Sequence, residues 1–177
     1  MTTDCETELK RFSLDAGIDH RILFAILDNE SNQNGFYENG EIKVRFENHI
    51  FNEFLLVYDG RHTRHAFLPK YDYDWVHKHS LSDLKLLSTS FGIAQIMGYH
   101  YEMLLHYSVG NMVKWWQLSE LNQVIDFIHF CSTYRSGKFM IALRDLDFDQ
   151  IAKMYNGSGY KKNNYHIKLK KYFPELS

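Results

Sequence analysis

Apolar positions along the chain recur mostly at helical spacing. Residues 7–16 carry Leu9, Phe12 and Leu14 among polar neighbours, which predicts a short amphipathic helix ended by Gly17. Asp19 is placed to cap a second helix, where Ile22, Leu23, Phe24, Ala25, Ile26 and Leu27 form an almost continuous apolar band. A helix apolar nearly all round belongs in a core, and Asn34-Gly35 breaks the chain after it.

Period-two alternation replaces the helical period once. Ile42, Val44 and Phe46 alternate with Lys43, Arg45 and Glu47, which predicts a strand with its apolar side on the core. Asn39-Gly40 is a favoured hairpin turn, so Phe36-Tyr37 is expected to open the partner strand. A helix from about 48 to 57 follows, carrying Ile50, Phe51, Phe54 and Leu55, and residues 58–79 read as a polar, aromatic, His-rich loop. From Ser80 onward the spacing predicts only helices, over 82–88, 91–106, 109–117, 119–135, 137–143, 147–155 and 161–173. The expected architecture is one mostly α domain over 1–177 with a small β-hairpin near its N-terminal third.

Composition narrows the function classes. The 13 Phe, 12 Tyr and 3 Trp in 177 residues exclude a disordered or linker chain. A net charge of −2 gives no bulk attraction to nucleic-acid phosphate, so no nucleic-acid partner is expected. The charge is uneven, however: residues 1–60 carry a net −7 and residues 61–177 a net +5, with Lys161, Lys162, Lys168, Lys170 and Lys171 facing only Glu175 near the end. Apolar runs are too short to span a bilayer. Asp4, Glu6 and Glu8 fall where a secretory leader needs basic residues, so the expected origin is a cytoplasmic chain without a signal peptide. Cys5 and Cys131 lack metal-ligand spacing and read as free thiols.

Two carboxyls stand out. Glu30 follows Ile26 by four and Ile22 by eight, so it extends the buried stripe of its helix. There it turns outward as a surface residue, or sits in a cleft where desolvation keeps it protonated, as a general acid requires. Glu47 shares a strand face with Lys43 and Arg45, whose charges favour the carboxylate. One acid in an apolar setting and one in a cationic setting is the pattern that separates acid and base roles.

Two further segments suggest a ligand groove. In the run from Ser88 to Gly98, Ser90 is placed to cap a helix, and Gln95 is an amide among apolar neighbours, free to bond a sugar or its own backbone. In Tyr155-Asn156-Gly157-Ser158-Gly159-Tyr160, two glycines allow a tight turn while Tyr155 and Tyr160 offer rings to pyranose faces. No Lys-Ser/Thr ending follows these glycines, which excludes a phosphate loop. His62, His65, His77 and His79 crowd one loop without a His-Glu-x-x-His pattern, so they read as solvated and no metal is expected.

Four segments in order resemble the N-acetylmuramidase family of bacteriophage endolysins and related wall-lytic proteins. They are Asp28-Asn29-Glu30-Ser31, the stretch from Val44 to Phe51, the stretch from Ser90 to Gly98, and Tyr155 to Tyr160 with Asn164-Tyr165 and Lys168-Leu169. The resemblance implies a lysozyme-like α+β fold, with Glu30 as principal catalytic acid and Glu47 as second carboxylate. It places Gln95, Tyr155 and Asn156 along the sugar groove, to which Ser90 and Tyr160 are added as candidate substrate contacts. Leu87 stands where relatives often carry an acid, so no third acid is carried over.

The function so implied is cleavage of the β-1,4 bond between N-acetylmuramic acid and N-acetylglucosamine, without a cofactor. A lytic transglycosylase on the same bond is the alternative enzyme, and a wall-binding subunit without chemistry is the alternative of another class. Peptidoglycan strands are the expected partner, reached after holin release or injection. An injected effector implies a delivery-machine component and an immunity protein as further partners.

Overall fold

The computed structural model describes residues 1–176. Helix α1 (Thr3–Ala16) is capped by Thr2, whose hydroxyl accepts the Cys5 N–H, and ends where Gly17 turns left-handed at φ 66°. Helix α2 (His20–Ser31) starts at Asp19, whose carboxylate accepts the Arg21 N–H at 3.0 Å. Its Ile22, Leu23, Ala25, Ile26 and Leu27 are all fully buried, as the apolar band requires.

Strand β1 (Val44–Phe46) leads into helix α3 (Asn48–Tyr58), followed by the short helices α4 (Tyr73–Val76) and α5 (Leu81–Leu87). Strands β2 (Thr89–Phe91) and β3 (Ile96–Met97) come next, then a single 3-10 turn at Gly98–His100. Helices α6 (Val109–Leu118), α7 (Glu120–Thr133), α8 (Lys138–Arg144), α9 (Phe148–Asn156) and α10 (Tyr165–Lys170) complete the chain, with a 3-10 turn at Pro174–Leu176. Helix α1 packs on α7, and α10 packs on both α9 and α2. The core runs through this helical layer and includes Trp116, Phe127, Phe139 and Phe173. Among the described residues no helix is long and apolar enough to cross a membrane.

The three strands form one antiparallel sheet in the order β1-β2-β3, with Arg45 opposite Ser90 and Ser90 opposite Met97. This corrects the helix expected over 91–106. Ile93, Ile96 and Met97 mimic helical spacing, but Gly92 at φ 71° and Gln95 at φ 48° are left-handed and turn the chain back on itself. Ser90 is therefore a central strand residue and caps no helix.

Strand β1 also departs from expectation. Val44 and Phe46 are each 44% exposed, whereas Ile42 alone of the three is buried. The strand lies at the sheet edge, so only its β2 side is covered. Phe36 and Ile42 meet as an isolated bridge around the Asn39-Gly40 turn, where Gly40 takes φ 81°.

In the 58–79 segment, His65 is fully buried rather than solvated, packed edge-on to Phe54 at 4.5 Å with a ring nitrogen 3.0 Å from Ile50 O. His77 and His79 bond the carbonyls of Tyr73 and Trp75, and His62 pairs with Glu53 at 3.2 Å.

Candidate active site

Glu30 stands on the last turn of α2, in line with the fully buried Ile22 and Ile26. The stripe that holds the helix in the core thus delivers a carboxyl to a half-buried position. Its Oε1 accepts the Tyr165 hydroxyl at 2.7 Å. Burial pushes Glu30 up to about 7, against the opposing pull of the Tyr165 hydrogen bond and of the Arg45 and Lys168 charges. Burial first, and then the charge of Glu30, push Tyr165 well above the usual tyrosine range, so it keeps its proton and donates.

Glu47 follows β1 directly and begins α3, its N–H bonded to Ser88 O at 2.8 Å. Its Oε1 receives both Arg45 Nε at 2.6 Å and Arg45 Nη2 at 2.5 Å, while His49 Nδ1 lies 3.6 Å from Oε2. The cationic setting expected from the strand pattern is therefore one specific ion pair. Side-chain exposure of Glu47 is 18%, which leaves it partly open to the groove.

Gln95 sits in the turn between β2 and β3, and three distant elements fasten that turn. From α2, Ser31 Oγ donates to Ile93 O at 2.7 Å. From α7, Gln123 Oε1 accepts the Ile93 N–H at 2.7 Å. From α9, Tyr155 Oη donates to Ala94 O at 2.5 Å. Gln95 Nε2 donates to Gly92 O at 2.9 Å, and Ser90 Oγ donates to Gln95 Oε1 at 2.9 Å. Ser90 thus orients the amide as well as lining the groove.

Three adjoining cavities form a continuous groove across these residues. The central one, about 130 Å³, is lined by Glu30, Arg45, Glu47, Ser90, Gln95, Met97, Tyr155 and Asn156. On the Glu30 side it meets a cavity of about 380 Å³ that reaches Tyr37, Lys43 and Val44. On the Glu47 side it meets one of about 550 Å³ that runs along Phe67, Tyr99, Tyr134, Arg135 and the 156–159 turn. The two carboxyls face the same small central space, and Arg45 lines all three cavities.

Of the residues singled out from sequence, Glu30, Glu47, Ser90, Gln95, Tyr155 and Asn156 come together here. Tyr160 does not. Its hydroxyl donates to Asp149 at 2.9 Å and its ring meets His166, and it is not among the residues that line the three cavities. Tyr155 is less a free stacking platform than a wall, since its hydroxyl is committed to Ala94 and its ring packs near Phe130 and Phe139. Leu87 is fully buried in the core.

Sequence reading gave no role to Tyr165, Tyr99, Tyr134 or Arg135. Tyr165 was visible only as part of a matched segment, and nothing local shows that it reaches a carboxyl 135 positions away. Among the described residues no group of three or more His, Cys, Asp or Glu side chains is arranged to hold a metal ion.

The N-acetylmuramidase family model matches residues 19–83 and 82–177, nearly the whole chain. A solved structure, the crystal structure of a Burkholderia AP3 phage endolysin, is 26% identical and superposes with a TM-score of 0.72, covering 98% of this chain and 71% of that one. No curated protein matches the chain. With the family model spanning both carboxyls and every segment that lines the groove, the chain belongs to the N-acetylmuramidase family and is a peptidoglycan-lytic enzyme of lysozyme-like fold.

Proposed function

We propose that the protein hydrolyses the β-1,4 bond between N-acetylmuramic acid and N-acetylglucosamine in peptidoglycan. The observation that carries this reading is the contrast between two carboxyls on one cavity of about 130 Å³. Glu30 is held near neutrality by burial, so below about pH 7 it keeps a proton to give to the glycosidic oxygen. Glu47, paired with Arg45, is the carboxylate that orients water or balances the oxocarbenium-like charge as the bond breaks.

The remaining groups position the sugar. Gln95 and Asn156 line the central cavity with amides suited to acetamido and hydroxyl groups, and Ser90 fixes which end of the Gln95 amide faces the substrate. Met97 and the Tyr155 ring supply the apolar part of the cavity wall beside the two carboxyls.

Mass spectrometry of fragments released from purified peptidoglycan tests the reading. Reducing muropeptides from the native chain, lost in Glu30→Gln and strongly reduced in Glu47→Gln, support hydrolysis with these roles. Anhydro ends on the released sugars would move the assignment to a lytic transglycosylase, because that reaction adds no water. Wall binding without fragments from several wall types would leave a binding subunit.

A further inference from the structure

The largest of the three cavities, about 550 Å³, has a wall that the cleavage chemistry does not use. That wall is the turn joining α7 to α8. Arg135, Ser136 and Gly137 all lie in the left-handed region, at φ 52°, 56° and 79°. Glycine adopts that conformation freely, but two residues with a Cβ hold it at a conformational cost, and such strain collects where a side chain must be aimed.

The aimed side chain is Arg135. Its guanidinium carbon lies 5.3 Å from the centre of the Tyr134 ring, which braces it at the cavity. The Arg, Glu and His residues of the lining are Arg45, Glu47, His49 and Arg135. Arg45 is taken up by Glu47. Arg135 pairs with no carboxylate among the described residues, so this end of the groove presents an unspent guanidinium beside Phe67, Tyr99 and Tyr134.

We propose that Arg135, braced by Tyr134, binds a carboxylate of the peptide stem that branches from the glycan strand. The identity of the polymer rests on the glycan-cleaving reading above. A glycosidically linked backbone of N-acetylated sugars offers this guanidinium no charge, whereas the stem carries carboxylates that a planar guanidinium can grip with two parallel hydrogen bonds. The cavity is about four times the volume of the central one, room for a branch as well as a sugar.

Two wall preparations that differ only in whether their stem carboxylates are free or amidated test this. Binding is measured by co-sedimentation in the Glu30→Gln background, so that cleavage does not consume the wall. At low salt the free-carboxylate wall should bind roughly three- to ten-fold more tightly, with the ratio shrinking as salt rises. Arg135→Asn, which tolerates the left-handed backbone, should bring the ratio to within about two-fold of unity, while Arg135→Lys retains part of it. An unchanged ratio in Arg135→Asn, or no preference before substitution, overturns the proposal. Fragment release by the native chain is scored separately: absence of fragments with the ratio intact would sink the cleavage reading and leave the stem contact standing.

Discussion

Tyr165 donates its hydroxyl to Glu30 at 2.7 Å, so the first residue of α10 sets the position of a carboxyl at the end of α2. Two opposing influences meet at that oxygen. Burial favours the protonated acid, and the hydrogen bond favours the carboxylate.

Tyr165→Phe removes only the second influence. The Glu30 pKa should then rise above its present value of about 7, moving the alkaline limb of kcat/KM to higher pH. The shift should be on the order of half to one unit, with a several-fold loss in rate from looser placement of the acid. A pH profile of glycan cleavage checks it. A limb that stays in place would show that Glu30 is not the group titrating there.

Glu30→Gln should lower the cleavage rate by about 10²- to 10⁴-fold, the usual contribution of a positioned general acid. The amide keeps the acceptor for Tyr165 but has no proton of suitable acidity to give. Single-turnover rates on purified wall, read beside the melting temperature, separate lost chemistry from lost fold.

The same substitution should make stability less dependent on pH. A carboxyl whose folded pKa is raised from 4.5 to about 7 binds more protons folded than unfolded between those values. The contribution of Glu30 to native stability should therefore be fullest below about pH 4.5, fall as pH rises toward 7, and level off above it. At about 1.4 kcal/mol per unit, the penalty at pH 8 approaches roughly 3 kcal/mol. Urea titrations of native and Glu30→Gln chains at pH 4 and pH 8 measure it, and the variant should gain on the native chain only at pH 8.

Gly92→Ala should destabilise the chain by roughly 2–4 kcal/mol. The backbone there is left-handed at φ 71°, and an added Cβ would meet Gln123 Oε1 at 2.5 Å. That oxygen cannot easily withdraw, because it holds the Ile93 N–H. Denaturant midpoints report the loss, and activity per folded molecule should also fall as Gln95 shifts.

The helices were readable where one stripe decided the matter. Asp19 and the apolar run behind it defined α2, and with it the burial of Glu30. The β2–β3 hairpin was not readable, because Ile93, Ile96 and Met97 have helical spacing and Ser90 has the chemistry of a cap. What turns that segment into strands is Gly92 pressed on Gln123, a side chain from α7. Val44 and Phe46 alternate as core residues do, yet an edge position leaves both half exposed. At the site, Glu30, Glu47 and Gln95 carried local signals and Asn156 entered through the family resemblance, whereas the Tyr165 contact and the Arg135 turn arise only from tertiary packing.

Gln123 gives the fold a constraint of a different kind. Its oxygen receives Ile93, its nitrogen donates to Trp116 O at 3.0 Å, and a Cβ at either Gly35 or Gly92 would collide with its amide. A shorter residue at 123 would strand two backbone groups and open a hole behind both glycines. A larger one at 35 or 92 has nowhere to go while the glutamine stays. These three positions are coupled, so a change at any one of them alone carries a cost set by the other two. Libraries meant to alter wall preference should hold that trio fixed and diversify the outer groove around Phe67, Tyr99 and Arg135.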